Sequence, residues 1–314
     1  MKNDVSENTM KMYLSTLNAL AKSVGHKLDD DSDDGLWIEK NYEKLLQHVY
    51  SFTSKHTQKN KIAVLLVFAQ TYGLKDKIIK DLAERMDKLG QEVKANYESN
   101  QMNEKQKENW LTVEELDAKI AELKADIPKG SLSGFADYNR VIKYLVLLIY
   151  KFVPLRNDIV EVKLQPGAPP KTLPDDDINY IYLPKASTAS LVLNSYKTKE
   201  SFKQKVIKLP QEITAELRRF MPLIESVSPN KWFLVGKRNQ DEHLTRNAFT
   251  KFLNKVFGKK VSTSMIRHTI VSSLYKVDKD EYKKKQELAH NMGHSVDTAA
   301  LVYAKDLSAL PDKS

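Results

Sequence analysis

The chain has 314 residues, none of them cysteine, so it is long enough for two domains with separate cores but has neither a disulfide framework nor a thiolate metal site. Its longest apolar runs, "IAVLLVFAQ" and "YLVLLIY", fall short of the ~20 residues a membrane-spanning helix needs, and "MKNDVSENTMKMY" lacks the apolar centre of a secretory signal, which together suggest an intracellular protein away from membranes. The net charge is +9, and because residues 1–100 carry 15 basic and 15 acidic side chains, the whole excess lies in residues 101–314, as expected of a segment whose partner is a polyanion such as nucleic acid.

The first hundred residues read as helical. Met10, Tyr13, Leu14, Leu17, Leu20 and Ala21 recur at helical spacing between Ser6, a suitable cap, and Gly25, a suitable stop. An acidic loop, "DDDSDDG", follows, then helices around 37–53 and 58–72 and a long polar helix around 75–98. These segments carry packing residues and no reactive constellation. The polar stretch "NQMNEKQKENW" is the linker, so the domains are expected at residues 1–104, with the linker from about 99, and 105–314.

Thr112-Val113-Glu114-Glu115 opens the second domain as a capping box, in which the threonine hydroxyl and the Glu115 carboxylate each satisfy an orphan amide. A helix at roughly 137–152 is apolar on most sides and is assigned to the core. It delivers Arg156 just past Pro154. Three strand-like segments, "NYIYLP", "SLVLNSY" and "KQKVIKLP", come next, the last two joined by the polar turn "KTKES". Helical pattern returns in "TRNAFTKFLNKVF", "MIRHTIVSSLYKV" and "QELAHNM". The expected fold is mainly α: a helical first domain, then an α+β domain with a small antiparallel sheet.

Five residues in this order can act on a phosphodiester: Arg156, Lys197 in "NSYKTKE", Arg267 in "SMIRHT", His294 in "MGHS", and Tyr303, nine positions after that histidine. Two guanidinium forks can neutralise the non-bridging oxygens that shield phosphorus. A tyrosine can attack and hold one DNA end covalently, a lysine can protonate the departing 5′-oxygen, and an imidazole can hydrogen-bond a phosphate oxygen. Each has a plainer reading. Tyr303 can be a core tyrosine, Arg156 a cation paired with Asp158, and Lys197 one of the solvated hairpin lysines, with Lys199 its rival. His294 can cap a helix end, and His268 can be a buried, satisfied histidine.

The set resembles the tyrosine recombinase, or phage-type integrase, family. Met292-Gly293-His294-Ser295 with Tyr303 matches the family's last box, "PLRNDIVEVKL" is similar to its first arginine box, and "SYKT" before a strand ending in "KLP" is similar to its lysine hairpin. "NWLTVEEL" resembles the opening of its catalytic domain, and the helices of residues 1–100 resemble its core-binding domain. One position departs: Ser264 stands where the family usually has the first histidine of His-x-x-Arg-His, a group implicated in taking the tyrosine proton. A serine is a poor base, which leaves His268 or a water for that role.

The resemblance implies a clamp around double-stranded DNA, a homotetrameric synapse, and site-specific cutting and rejoining through a 3′-phosphotyrosine without metal, ATP or other cofactor, in an enzyme of a virus or mobile element. Two alternatives share the scaffold. One is a type IB topoisomerase-like enzyme, which uses a similar residue set. The other, prompted by Ser264, is a catalytically silent DNA-binding protein.

Overall fold

The computed structural model describes residues 7–28, 35–98, 101–174, 176–274 and 279–293. The chain divides into two compact units, Met1–Asn103 and Glu104–Ser314.

The first unit is helical: α1 (Glu7–Ser23), α2 (Leu36–Lys40), α3 (Tyr42–Tyr50), α4 (Lys55–Tyr72) and α5 (Asp76–Glu98). The single helix expected around 37–53 is broken at Asn41, whose side-chain amide donates to Trp37 O at 2.9 Å. A short amide that bonds its own preceding turn competes with the helical ladder. α4 starts earlier than its apolar pattern because the Ser54 hydroxyl caps it, accepting from Thr57 N, and it stops at Gly73 in the left-handed region. The core joins Leu17 and Leu20 of α1, Leu45 and Val49 of α3, Leu65 and Ala69 of α4, and Leu82 and Leu89 of α5. The polar helix α5 therefore hides one apolar face. The acidic loop and Ser6 fall at least partly outside the described residues.

The second unit begins with α6 (Glu104–Asn109), inside the stretch expected to be linker. Tertiary contact overrides the polar composition there: buried Asn109 accepts from Lys260 N at 3.0 Å, and Lys259 Nζ donates to Trp110 O at 2.5 Å. α7 (Val113–Ala125) starts at Thr112 with the expected capping box, both reciprocal hydrogen bonds present. α8 (Gly134–Phe152) is the central helix. Val141, Leu145, Ile149 and Tyr150 are among its fully buried residues, and it packs against α7 and α10 (Gln211–Val227).

A 3₁₀ turn, Asn157–Glu161, leads from α8 into a four-stranded sheet: β1 (Val162–Pro166), β2 (Asn179–Leu183), β3 (Ser190–Leu193) and β4 (Lys205–Lys208), in that spatial order. β2, β3 and β4 pair antiparallel as expected. The sheet is mixed, however, because β1 lies parallel to β2, with Val162 opposite Asn179 and Leu164 opposite Ile181. Its first three residues are the last three of "PLRNDIVEVKL", directly behind the Arg156 turn. The connection of about a dozen residues to β2 is long enough for the crossover that a parallel pair needs. The polar "KTKES" turn lies in a longer connection containing a one-turn helix, α9 (Lys199–Phe202). α11 (Arg246–Phe257), α12 (Thr263–Leu274) and α13 (Lys279–Asn291) complete the described chain. The fold class is mainly α with a small sheet, and no described helix is long and apolar enough to cross a membrane.

Candidate active site

Arg156 stands half-buried between the end of α8 and the 3₁₀ turn. Helical backbone stops ahead of Pro154, as the constraint on a pre-proline residue requires. From the last turn of α8, six residues earlier, Tyr150 reaches forward and its hydroxyl donates to Arg156 O at 2.5 Å. That ring is wholly buried, and it stacks on Phe249 of α11 with centroids 6.1 Å apart. Burial pushes the phenol well above its ordinary pKa, the nearby Asp158 charge pushes the same way, and the Arg267 charge pulls it back. The same buried hydroxyl thus bonds the Arg156 carbonyl and feels the Arg267 charge.

Arg267 is carried by α12. Ser262 caps this helix, its hydroxyl accepting from Met265 N at 3.2 Å. The Thr263 hydroxyl donates to Asn157 Oδ1 at 3.0 Å, and that of Thr269 donates to Leu111 O at 2.5 Å. The first of these bonds joins the residue next to Arg156 to a point one turn before Arg267, across 106 positions of sequence. Ser264, Arg267 and His268 follow the i, i+3, i+4 relation and share one side of α12. Ser264 and His268 are exposed and Arg267 is half-buried, while Met265, Ile266 and Thr269 face the core. The reading of His268 as a buried histidine is therefore excluded.

Asp158, the local partner considered for Arg156, has a second cation that local sequence does not signal. Asp158 is buried, and burial raises its carboxyl pKa above the ordinary value against the attraction of first Arg246 and then Arg156. Arg246, the first residue of α11, also donates to Glu161 Oε1 at 3.1 Å. Asp158 thus answers to two guanidinium groups, one of them 88 positions away in sequence, which no spacing rule anticipates.

Lys197 is exposed in the connection between β3 and β4. That connection is a built structure: the Tyr196 hydroxyl donates to Lys203 O, and Lys205 Nζ lies 4.5 Å from the centroid of Phe202 and 5.2 Å from that of Tyr196. The rival Lys199 forms a 3.7 Å ion pair with Asp177, whose side chain is 91% exposed, a contact that solvent weakens.

His294, Ser295 and Tyr303 lie outside the described residues. The last box begins at a helix end: α13 closes with Met292 N donating to Leu288 O, and Gly293 follows at φ 71°. A side chain there would be strained, which accounts for glycine ahead of His294.

Replacing Tyr150 with Phe removes the donor to Arg156 O and leaves that carbonyl short of a partner. The expected result is a loss of about 1–3 kcal/mol in stability, read by thermal unfolding. A variant that melts like the parent would show that Tyr150 does not hold Arg156 O.

No protein-family model matches the chain, and no curated protein sequence matches it. Among solved structures, similarity is found to the XerH site-specific recombinase bound to a palindromic difH substrate in a post-cleavage complex, at 16% identity and a TM-score of 0.48, covering 93% of this chain and 74% of that one. The XerH complex with difH substrate before cleavage is also similar, at 16% identity and a TM-score of 0.40, covering 96% of this chain and 86% of that one. Both are site-specific recombinases.

Proposed function

We propose that this chain is a tyrosine recombinase that cuts and rejoins DNA at a specific site, in the service of a virus or mobile element. One observation carries the reading most of the way. The Thr263–Asn157 hydrogen bond ties the segment that carries Arg156 to the helix that carries Arg267, which supports one site for both. The basic excess of residues 101–314 gives that place a polyanion to act on.

In this reading the Tyr303 oxygen gives up its proton to His268 or a water and attacks phosphorus, the bond from phosphorus to the 5′-oxygen breaks, and the 5′-oxygen takes a proton from Lys197 Nζ. Arg156 and Arg267 hold the non-bridging oxygens, and His294 hydrogen-bonds one of them. The 3′-phosphotyrosine conserves the bond energy for rejoining. Partner strands are exchanged in a homotetramer on double-stranded DNA inside the cell.

The test is a nicked duplex drawn from repeats that flank the gene in its source, so that the short cleaved strand diffuses away and traps the intermediate. A denaturant-resistant protein–DNA adduct, mapped to Tyr303 by peptide mass, is expected. Intact DNA bound without adduct would favour the silent binding protein. Relaxation of supercoiled plasmid without sequence demand would favour the topoisomerase-like alternative.

Ser264 offers a second check, since it is exposed on the side of α12 that carries Arg267. If proton removal from Tyr303 limits the rate, Ser264→His speeds cleavage at pH 7, because an imidazole titrates near there and a serine hydroxyl does not. The gain shrinks as pH rises toward ~10, where a free tyrosine ionises unaided. A pH–rate profile unchanged from that of the parent would assign the base to another group, with His268 the nearest titratable neighbour on the helix.

A further inference from the structure

The amide of Asn179 is fully buried at the start of β2, and all its hydrogen-bonding capacity is used. Its Oδ1 accepts from Asn194 N and Ser195 N, each at 2.9 Å. Its Nδ2 donates to Ser195 O at 2.9 Å and to Asp158 O at 3.1 Å. These partners lie beyond the reach of the sheet ladder: Asp158 is in the 3₁₀ turn ahead of β1, and Asn194 and Ser195 follow the last residue of β3. The strands are already paired through their backbones, so Asn179 holds what that pairing leaves loose. One of its ends is two residues past Arg156, and the other is two residues before Lys197.

A second amide continues the brace into the returning limb of the hairpin. Asn194 Nδ2 donates to Ile178 O and to Asp176 Oδ1, while Gln204 Nε2 donates to Asn194 Oδ1 and to Pro174 O. A buried polar network of this kind specifies one geometry, because breaking any member strands another without a partner.

We propose that Asn179 is a positioning residue that sets the Lys197 hairpin against the Arg156 turn, so that proton donor and phosphate clamp meet the same phosphodiester. The proposal rests on the recombinase reading. It makes hairpin placement depend on one side chain that touches neither DNA nor the reacting atoms.

The experiment compares cleavage of the nicked duplex carrying either oxygen or sulfur at the 5′-bridging position, sulfur being a leaving group that needs no proton. Asn179→Ala is expected to cut the oxygen substrate roughly ten- to a hundredfold more slowly than the parent, as a displaced catalytic group does, and to recover most of that loss on the sulfur substrate. Arg156→Ala should keep its deficit on both. Equal deficits of Asn179→Ala on the two substrates, or none, with the parent's melting transition retained, would overturn the proposal. If Asn179→Ala fails to fold, Asn179→Ser decides in its place, since a hydroxyl keeps one hydrogen-bonding group in the buried site but cannot hold Asp158 O and Ser195 O together. Recovery confined to sulfur would support the proposal, and parent-like rates or equal deficits on both substrates would overturn it. A parent chain that forms no adduct with either substrate would overturn the recombinase reading itself, which the variants alone cannot do.

Discussion

Tyr303→Phe is expected to abolish the covalent protein–DNA adduct while leaving DNA affinity nearly intact. Phenylalanine keeps the ring and removes only the oxygen that would bond to phosphorus, so no phosphotyrosine can form. Affinity for DNA comes mainly from lysines and arginines that neutralise phosphates and release counterions, and those are untouched. Adduct should be scored on denaturing gels and affinity by titration at a stated salt concentration. An adduct of undiminished yield in Tyr303→Phe would mean another residue is the nucleophile. Loss of binding together with loss of adduct would mean that the tyrosine supports the fold.

Arg156→Ala and Arg267→Ala should each slow cleavage by roughly a hundredfold or more, the usual consequence of removing one preorganised donor from a developing anionic transition state. The structure sharpens this expectation. The Tyr150 hydroxyl, bonded to Arg156 O, feels the Arg267 charge, and Asn157, next to Arg156, is bonded to Thr263 on the same helix as Arg267. The two cations are therefore held by shared neighbours, and the double variant should lose less than the product of the single losses. Arg267→Lys should restore little, because an ammonium keeps the charge without the two-pronged donor geometry. Single-turnover rates on the trapping duplex measure all four variants. A normal rate in either alanine variant would remove that arginine from the site.

The plainer readings weighed at the outset fared differently. His268, which sequence alone allows in a core, is exposed on α12. Asp158 does feel Arg156, but Arg246 weighs more with it, and that partner comes from a helix far downstream. Lys197 and Lys199, two residues apart in one hairpin, separate clearly: the first is exposed, and the second, in α9, faces Asp177. A pattern of alternating lysines carries no such distinction, since it arises from how the connection meets the segment ahead of β2.

The sequence by itself determined whatever depends on neighbours within a turn or two. The capping box at Thr112, the end of α4 at Gly73, the buried run of α8 and the three antiparallel strands all follow from side chains within a few residues of one another, acting through period, caps and turns. Only the tertiary structure decided the rest: the parallel pairing of β1 with β2, the docking of α6 despite its polar composition, the Thr263–Asn157 bond that ties the start of α12 to the Arg156 turn, and the four hydrogen bonds of Asn179. Each of these joins groups brought together by burial, where an amide or hydroxyl must find a partner wherever the chain happens to offer one. That choice follows from the packing of the whole unit around α8, and no local pattern contains it.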